Sequence, residues 1–149
     1  MVAVSKVDDL RRILDDEGGI LPGAQAPPLS DADLRAIYRN MLLVRIVDER
    51  MLRLQRQGRL GFYMTSTGEE ATHMAVFALR PTDWIFPSYR EPGAAFVRGY
   101  TLTDFICQLY GNSGDPVKGR QMPVHHAVRQ INYVSVSYTH LTLPTILRV

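Results

Sequence analysis

Residues 30–58 read SDADLRAIYRNMLLVRIVDERMLRLQRQG, and this stretch decides the architecture. Ser30 and Asp33 have the spacing of a capping box, in which each side chain satisfies the other's backbone N–H at a helix start. Leu34, Ile37, Tyr38, Met41 and Leu42 then recur at helical intervals. The helix is predicted to run to Gln57, where Gly58 supplies a left-handed stop. Its far half sets Arg45, Asp48, Glu49, Arg50, Arg53 and Arg56 around Ile46, Val47, Met51, Leu52 and Leu54. One stripe should therefore pack, and a charged face should stay wet.

Working outward, a polar turn over 58–68 leads to an alanine-rich, acid-first pattern over 69–79 that predicts a second helix. Glu69 and Glu70 at its start suit the helix dipole, and His73 within it reads as a structural histidine. Pro81 cannot continue it. Residues 83–87 form a short extended segment, and 88–93 a turn into a small-residue helix near 94–98. Thr101 and Asp104 make a further capping box for a helix ending at Gly111. A loop of nearly twenty residues follows, over 111–130, a length that is usually functional or disordered. Residues 131–136 alternate like a strand. Upstream, a helical possibility over 7–14 precedes Gly18, Gly19, Pro22, Gly23, Pro27 and Pro28, so residues 1–29 read as an extended arm.

At 149 residues the chain suffices for one domain with a core, and 46% hydrophobic with 21% charged residues is ordinary for a soluble globular protein. Its 17 basic and 15 acidic residues are interspersed, so neither a nucleic-acid face nor a lipid-binding face is expected. The one cysteine, Cys107, has no internal disulfide partner, and no zinc-ligand spacing occurs. The start of the chain turns acidic before a signal peptide could form, and no apolar run of about 18 residues is found. A cytoplasmic location is expected, without membrane insertion.

Spacing alone offers no complete catalytic constellation: there is no Gly-x-Gly-x-x-Gly, Walker loop, His-Glu-x-x-His or Gly-x-Ser-x-Gly. Two turns are dense in polar and aromatic groups. Ser88-Tyr89-Arg90 sets a planar guanidinium beside a phenol, which suits a phosphate or carboxylate ligand. The bland alternative is a surface arginine and a half-buried tyrosine. The second turn is Lys118-Gly-Arg-Gln-Met-Pro-Val-His-His126, on the long loop, whose bland reading is a solvated basic loop. Cys107 and the methionines Met41, Met51, Met64 and Met74 read as packing.

Those turns, together with residues 55–65 (QRQGRLGFYMT), 68–73 (GEEATH), 84–91 (WIFPSYRE) and 118–125 (KGRQMPVH), resemble the alpha subunit of branched-chain 2-oxo acid dehydrogenase over about residues 30–137. The Gly-Arg-Gln-Met-Pro-x-His stretch points to branched-chain rather than pyruvate-specific relatives. The resemblance implies an α/β thiamine-diphosphate-binding fold, truncated, with mainly its helical N-terminal part present. It implies oxidative decarboxylation with acyl transfer to a lipoyl group, thiamine diphosphate and magnesium as cofactors, and a two-alpha, two-beta heterotetramer serving a lipoyl acyltransferase component.

Placed by resemblance, Ser88, Tyr89 and Arg90 contact thiamine diphosphate, with Arg90 at the diphosphate and Tyr89 also at the substrate. Phe62 lines the pocket for the branched-chain 2-oxo acid, and Met122, Pro123, Val124 and His125 close over it. Ser137 matches a potassium-binding position in some relatives. The family's magnesium motif, Gly-Asp-Gly followed by paired asparagines, does not occur, and Gly114-Asp115-Pro116 is no substitute. No complete catalytic set is expected, and the chain alone is expected to be inactive. The resemblance breaks at Tyr138, so residues 138–149 read as a non-native tail with aggregation-prone alternation. The rivals are a pyruvate or acetoin dehydrogenase alpha subunit and a non-catalytic helical interaction module.

Overall fold

A computed structural model describes residues 12–135 of the chain. Ser137, residues 138–149, most of the stretch 7–14 and the end of the strand expected over 131–136 lie outside the described residues. The chain divides into two compact units, Met1–Leu34 and Arg35–Val149. In the first, the expected arm turns back on itself: Leu14 bridges Ile20 in antiparallel fashion. The Asp15 carboxylate holds that turn by accepting the Gly19 N–H at 2.6 Å, and Gly18 takes φ 85°.

Helix α1 is Asp31–Arg56. The Asp33 N–H donates to Ser30 Oγ at 3.2 Å and the Ser30 N–H to Asp33 Oδ2 at 3.1 Å, the reciprocal box expected from their spacing. Gly58 closes the helix with φ 69°. The buried face differs from the expected stripe. Val44, Val47, Asp48, Met51 and Leu54 pack inward, whereas Leu34, Tyr38, Leu42 and Ile46 form an exposed apolar ridge on the other side.

Asp48 corrects the reading of a uniformly wet charged face, being only 1% exposed. Its carboxylate accepts the Tyr63 hydroxyl at 2.5 Å, the Ser66 N–H at 2.7 Å and the Thr67 hydroxyl at 3.3 Å. A buried carboxylate is tolerable only when hydrogen-bonded in this way. Burial, then the bond to Asp48, push the Tyr63 pKa upward, so the phenol keeps its proton and acts as the donor.

The helix expected over 69–79 is instead a 3-10 helix, Thr72–Ala78. The Glu69 carbonyl accepts both the N–H (3.0 Å) and the hydroxyl (2.7 Å) of Thr72, which commits the start to the tighter winding. Glu70 does not serve a helix dipole. It pairs with Arg45 of α1 at 2.5 Å and accepts the Gly68 N–H at 3.1 Å. The Arg45 bond is the chief cause that holds the Glu70 carboxyl down at about 2.

Helix α2, Pro92–Val97, begins on a proline, and α3, Leu102–Tyr110, carries the expected capping box, with the Asp104 N–H donating to Thr101 Oγ1 at 3.1 Å. Two short strands, β1 (Ala127–Val128) and β2 (Tyr133–Val134), pair antiparallel around a 3-10 turn, Arg129–Ile131. Asn132 bends back with φ 53° after that turn, so the expected strand shortens to β2. Ile85 makes a parallel bridge to Tyr133, donating its N–H to Asn132 O at 2.8 Å and accepting the Val134 N–H at 3.0 Å. The second unit is thus mostly helical with a small two-stranded sheet.

Its core joins the inner face of α1 to Leu60, Tyr63, Ile85, Ala94, Ala95, Phe96, Phe105, Leu109, Val124 and Tyr133. Three elements meet at Gly93, where a Cβ would lie 2.6 Å from Val44 Cγ2 and 2.9 Å from the His73 ring carbon Cγ. Only glycine permits that approach. His73 and His126 are each 1% exposed, and His126 stacks on Phe105 with ring centroids 4.8 Å apart. Burial lowers both imidazole pKa values, that of His126 to about 3.

Two outcomes follow from this packing. Asp48→Ala strands the Tyr63 hydroxyl and the Ser66 N–H, so it should destabilise the fold by about 3 kcal/mol or more, and Tyr63→Phe by about 1–2 kcal/mol. Urea midpoints at constant m-value measure both, and equal midpoints for wild type and Asp48→Ala would contradict the network. For pH, the folded pKa of both histidines lies below the ordinary 6.5, so unfolding takes up protons. Their stabilising contribution is complete above pH 6.5 and falls as the pH drops toward 3. The Glu70 contribution is lost only below 4.5. Between pH 6.5 and 4.5 the melting temperature should therefore fall, and fall less in His126→Phe; an equal slope in that variant would remove His126 from the account.

Candidate functional site

The turn before α2 is built by short-range polar contacts. The Ser88 N–H donates to Glu91 Oε2 at 2.9 Å, and the Arg90 N–H to Ser88 Oγ at 3.2 Å. From below, the buried Tyr133 hydroxyl donates to the Glu91 carbonyl at 3.2 Å, tying the turn to β2. Ser88, Tyr89 and Arg90 are all half-buried.

Arg90 reaches sideways: its Nη1 donates to the Thr65 carbonyl at 2.9 Å, and its Cζ lies 6.0 Å from the Tyr89 ring centroid. The other N–H groups of its guanidinium meet no acceptor among the described residues. Such a fork, planar and permanently charged, is suited to phosphate or carboxylate oxygens. Thr65 belongs to the segment that Asp48 fixes through Tyr63, Ser66 and Thr67. Phe62, half-buried against the core, opens the same segment.

The third component is residues 122–126. Val124 is 2% exposed and takes φ 64°, a left-handed conformation that costs a side-chain-bearing residue about 1–2 kcal/mol and is rare for a β-branched one. Gln108 of α3, itself buried, holds this stretch. Its Nε2 donates to Met122 O at 2.7 Å and to His125 O at 3.3 Å, and its Oε1 accepts the Val124 N–H at 3.2 Å. His125 Nδ1 lies 3.1 Å from the Pro123 carbonyl, a bond that requires the proton on Nδ1. The His125 ring sits 5.6 Å from that of Tyr89.

The structure therefore brings together Tyr89, Arg90 and His125, more than thirty residues apart in sequence, and sets Phe62 on the segment that Arg90 grips. Met122 stays 61% exposed and Pro123 half-buried, while Val124 points into the core. Within the basic stretch, Lys118, Arg120 and Gln121 are exposed, but His126 is a core residue between Tyr100 and Phe105. Asp115 is a loop-closing residue, accepting the Val117 and Gly119 N–H groups at 2.9 and 2.6 Å. A cavity of about 380 Å³ borders the turn at Pro87 and Glu91, next to His73, Trp84 and Phe86. None of the residues expected at the site lines it.

Sequence reasoning missed Asp48, Gln108 and Glu91. Glu91 had a local signal, a Ser-x-x-Glu spacing from Ser88, whereas Asp48 and Gln108 look like ordinary polar positions of amphipathic helices.

The family model described as dehydrogenase E1 component matches residues 38–143, a span that takes in the Asp48-bound segment, the 88–91 turn and the 122–126 loop. The 2-oxoisovalerate dehydrogenase subunit alpha 2 of Arabidopsis thaliana is 46% identical over 132 residues, covering 88% of this chain and 28% of that protein. The corresponding alpha subunit of Pseudomonas aeruginosa is 45% identical over 129 residues (86% of this chain, 31% of that protein), and that of Mus musculus 42% over 127 residues (85% and 29%). The chain spans about three-tenths of the length of the curated relatives it matches. With the matched span covering most of the chain, including every element from the latter part of α1 to β2, the chain belongs to the dehydrogenase E1 component family.

Proposed function

We propose that this chain is part of the alpha subunit of a thiamine-diphosphate-dependent branched-chain 2-oxo acid dehydrogenase, which decarboxylates 2-oxoisovalerate-type acids oxidatively and transfers the acyl group to lipoyl. The observation that carries the reading is the approach of His125 to Tyr89, 5.6 Å between ring centroids, with the Arg90 guanidinium beside the same tyrosine. An imidazole, a phenol and an arginine fork then converge from two remote segments, which a pure scaffold has no chemical need for.

Arg90, with guanidinium N–H groups uncommitted within the described residues, suits the diphosphate of the cofactor, with Ser88 and Tyr89 completing that side. Thiamine diphosphate, when bound, supplies the electron sink for decarboxylation. Phe62, Met122 and Pro123 give the apolar surround for a branched side chain, and His125 with Tyr89 gives the polar end for the 2-oxo acid carboxylate; Val124, expected to close over the substrate, instead supports that wall from the core at 2% exposure. Magnesium belongs to the whole enzyme in this reading; among the described residues no group of three His, Cys, Asp or Glu side chains is placed to hold a metal ion. A potassium role for Ser137 rests on resemblance alone.

The remaining groups come from elsewhere in the assembly, so the chain by itself is inactive. Its partners are a beta subunit, in a two-alpha, two-beta heterotetramer, and a lipoyl acyltransferase component. Residues 30–137 form the N-terminal part of an α/β thiamine-diphosphate-binding domain and 1–29 an arm, while a foreign origin for 138–149 rests on the break in the resemblance alone, the family match running on to residue 143. No described helix is long and apolar enough to cross a membrane, and a cytoplasmic location belongs to the same reading.

Two calorimetric titrations with thiamine diphosphate and magnesium test it. The chain alone should show no micromolar site, because only one side of the diphosphate is held. In the assembled enzyme, Arg90→Ala should weaken the cofactor about 10- to 100-fold, the loss expected for a charge-assisted bond of about 1.5–3 kcal/mol. An unchanged titration would make Arg90 a surface residue and remove the reading's main support.

A further inference from the structure

The loop over 122–126 is held at two points, both on α3. His126 stacks on Phe105, and the Gln108 amide engages three backbone groups before it, at Met122, Val124 and His125. Those partners allow only one orientation of the amide, since two carbonyls can only accept and one N–H can only donate. A carboxylate of the same shape would lose both donated bonds. Between the contacts sits Val124, held at φ 64°, where a valine does not settle unaided. The His125 N–H also donates to Met122 O at 3.0 Å, closing a tight turn around the strained residue. That turn throws the His125 side chain outward to Tyr89 while Val124 goes into the core.

We propose that Gln108 is a positioning residue for substrate recognition: by clamping Val124 in its left-handed conformation it sets the Met122–His125 wall against Tyr89. Gln108 reaches the substrate only through that wall, so the inference rests on the proposed function of residues 122–125. It predicts that Gln108 governs the Michaelis constant of the 2-oxo acid rather than the rate of chemistry.

The test uses the assembled enzyme containing this chain, with 2-oxoisovalerate as the probe. Gln108→Leu should raise KM about tenfold or more while kcat changes no more than about threefold. Gln108→Glu should act in the same direction, and it guards against the leucine variant failing to assemble. A double-mutant cycle separates clamping from packing. Glycine adopts positive φ without help, so the KM effect of Gln108→Leu should shrink several-fold when measured in a Val124→Gly background. Hydrogen exchange at residues 122–126 should rise in Gln108→Leu and stay unchanged in α1. A KM unchanged in both Gln108 variants, or an undiminished effect in the Val124→Gly background, overturns the proposal while leaving the enzyme assignment standing. If the wild-type enzyme shows no cofactor-dependent turnover of 2-oxoisovalerate, the assignment falls and the proposal with it.

Discussion

A carboxylate placed inside a protein must be surrounded by donors, and Asp48 imposes that requirement on everything near it. Lying on the inner face of α1 at 1% exposure, it draws in the Tyr63 hydroxyl, the Ser66 N–H and the Thr67 hydroxyl. Hydrogen bonds to a charged group contribute about 1.5–3 kcal/mol each. The segment is thereby locked to the helix. Its Thr65 carbonyl becomes a fixed acceptor for Arg90, and Phe62 enters at a fixed place.

The same device recurs on α3. Gln108 does for residues 122–125 what Asp48 does for 63–67: a polar side chain, buried on a capped helix, fixes a loop, Gln108 through backbone groups alone and Asp48 through hydroxyls and one backbone N–H. Irregular segments have few internal hydrogen bonds, so their conformation must be imposed by rigid neighbours. Between the two clamps lies the 88–91 turn, anchored to β2 by Tyr133 and free to face both loops. Close packing behind it depends on Gly93, whose missing Cβ lets α2 settle on Val44 and His73.

Membership of the dehydrogenase E1 component family agrees with this organisation, because the matched span, 38–143, contains both clamps and the turn between them. The chain covers about three-tenths of its relatives' length, and its described residues leave four aromatic or aliphatic residues of α1 and the pair Trp84 and Phe86 exposed and form a small two-stranded sheet.

Sequence by itself determined the local events. Both capping boxes and the glycine stops at Gly58 and Gly111 involve partners within about four residues, and they are correct because that chemistry is complete in the local chain; the helix expected near 94–98 begins two residues earlier, on Pro92. The two turns rich in functional groups were equally legible, and their residues are those that meet at Tyr89 and His125. Tertiary structure alone decided the rest. Whether Asp48 faced water or the core, whether Glu70 served a helix dipole or Arg45, and whether residues 72–78 wound as an α-helix or a 3-10 helix depended on partners 15 to 25 residues away or on packing. His126 looked identical to His125 beside it, yet one became core and the other turns to Tyr89. Their separation follows from the left-handed turn at Val124, which a distant glutamine imposes and no local preference would choose.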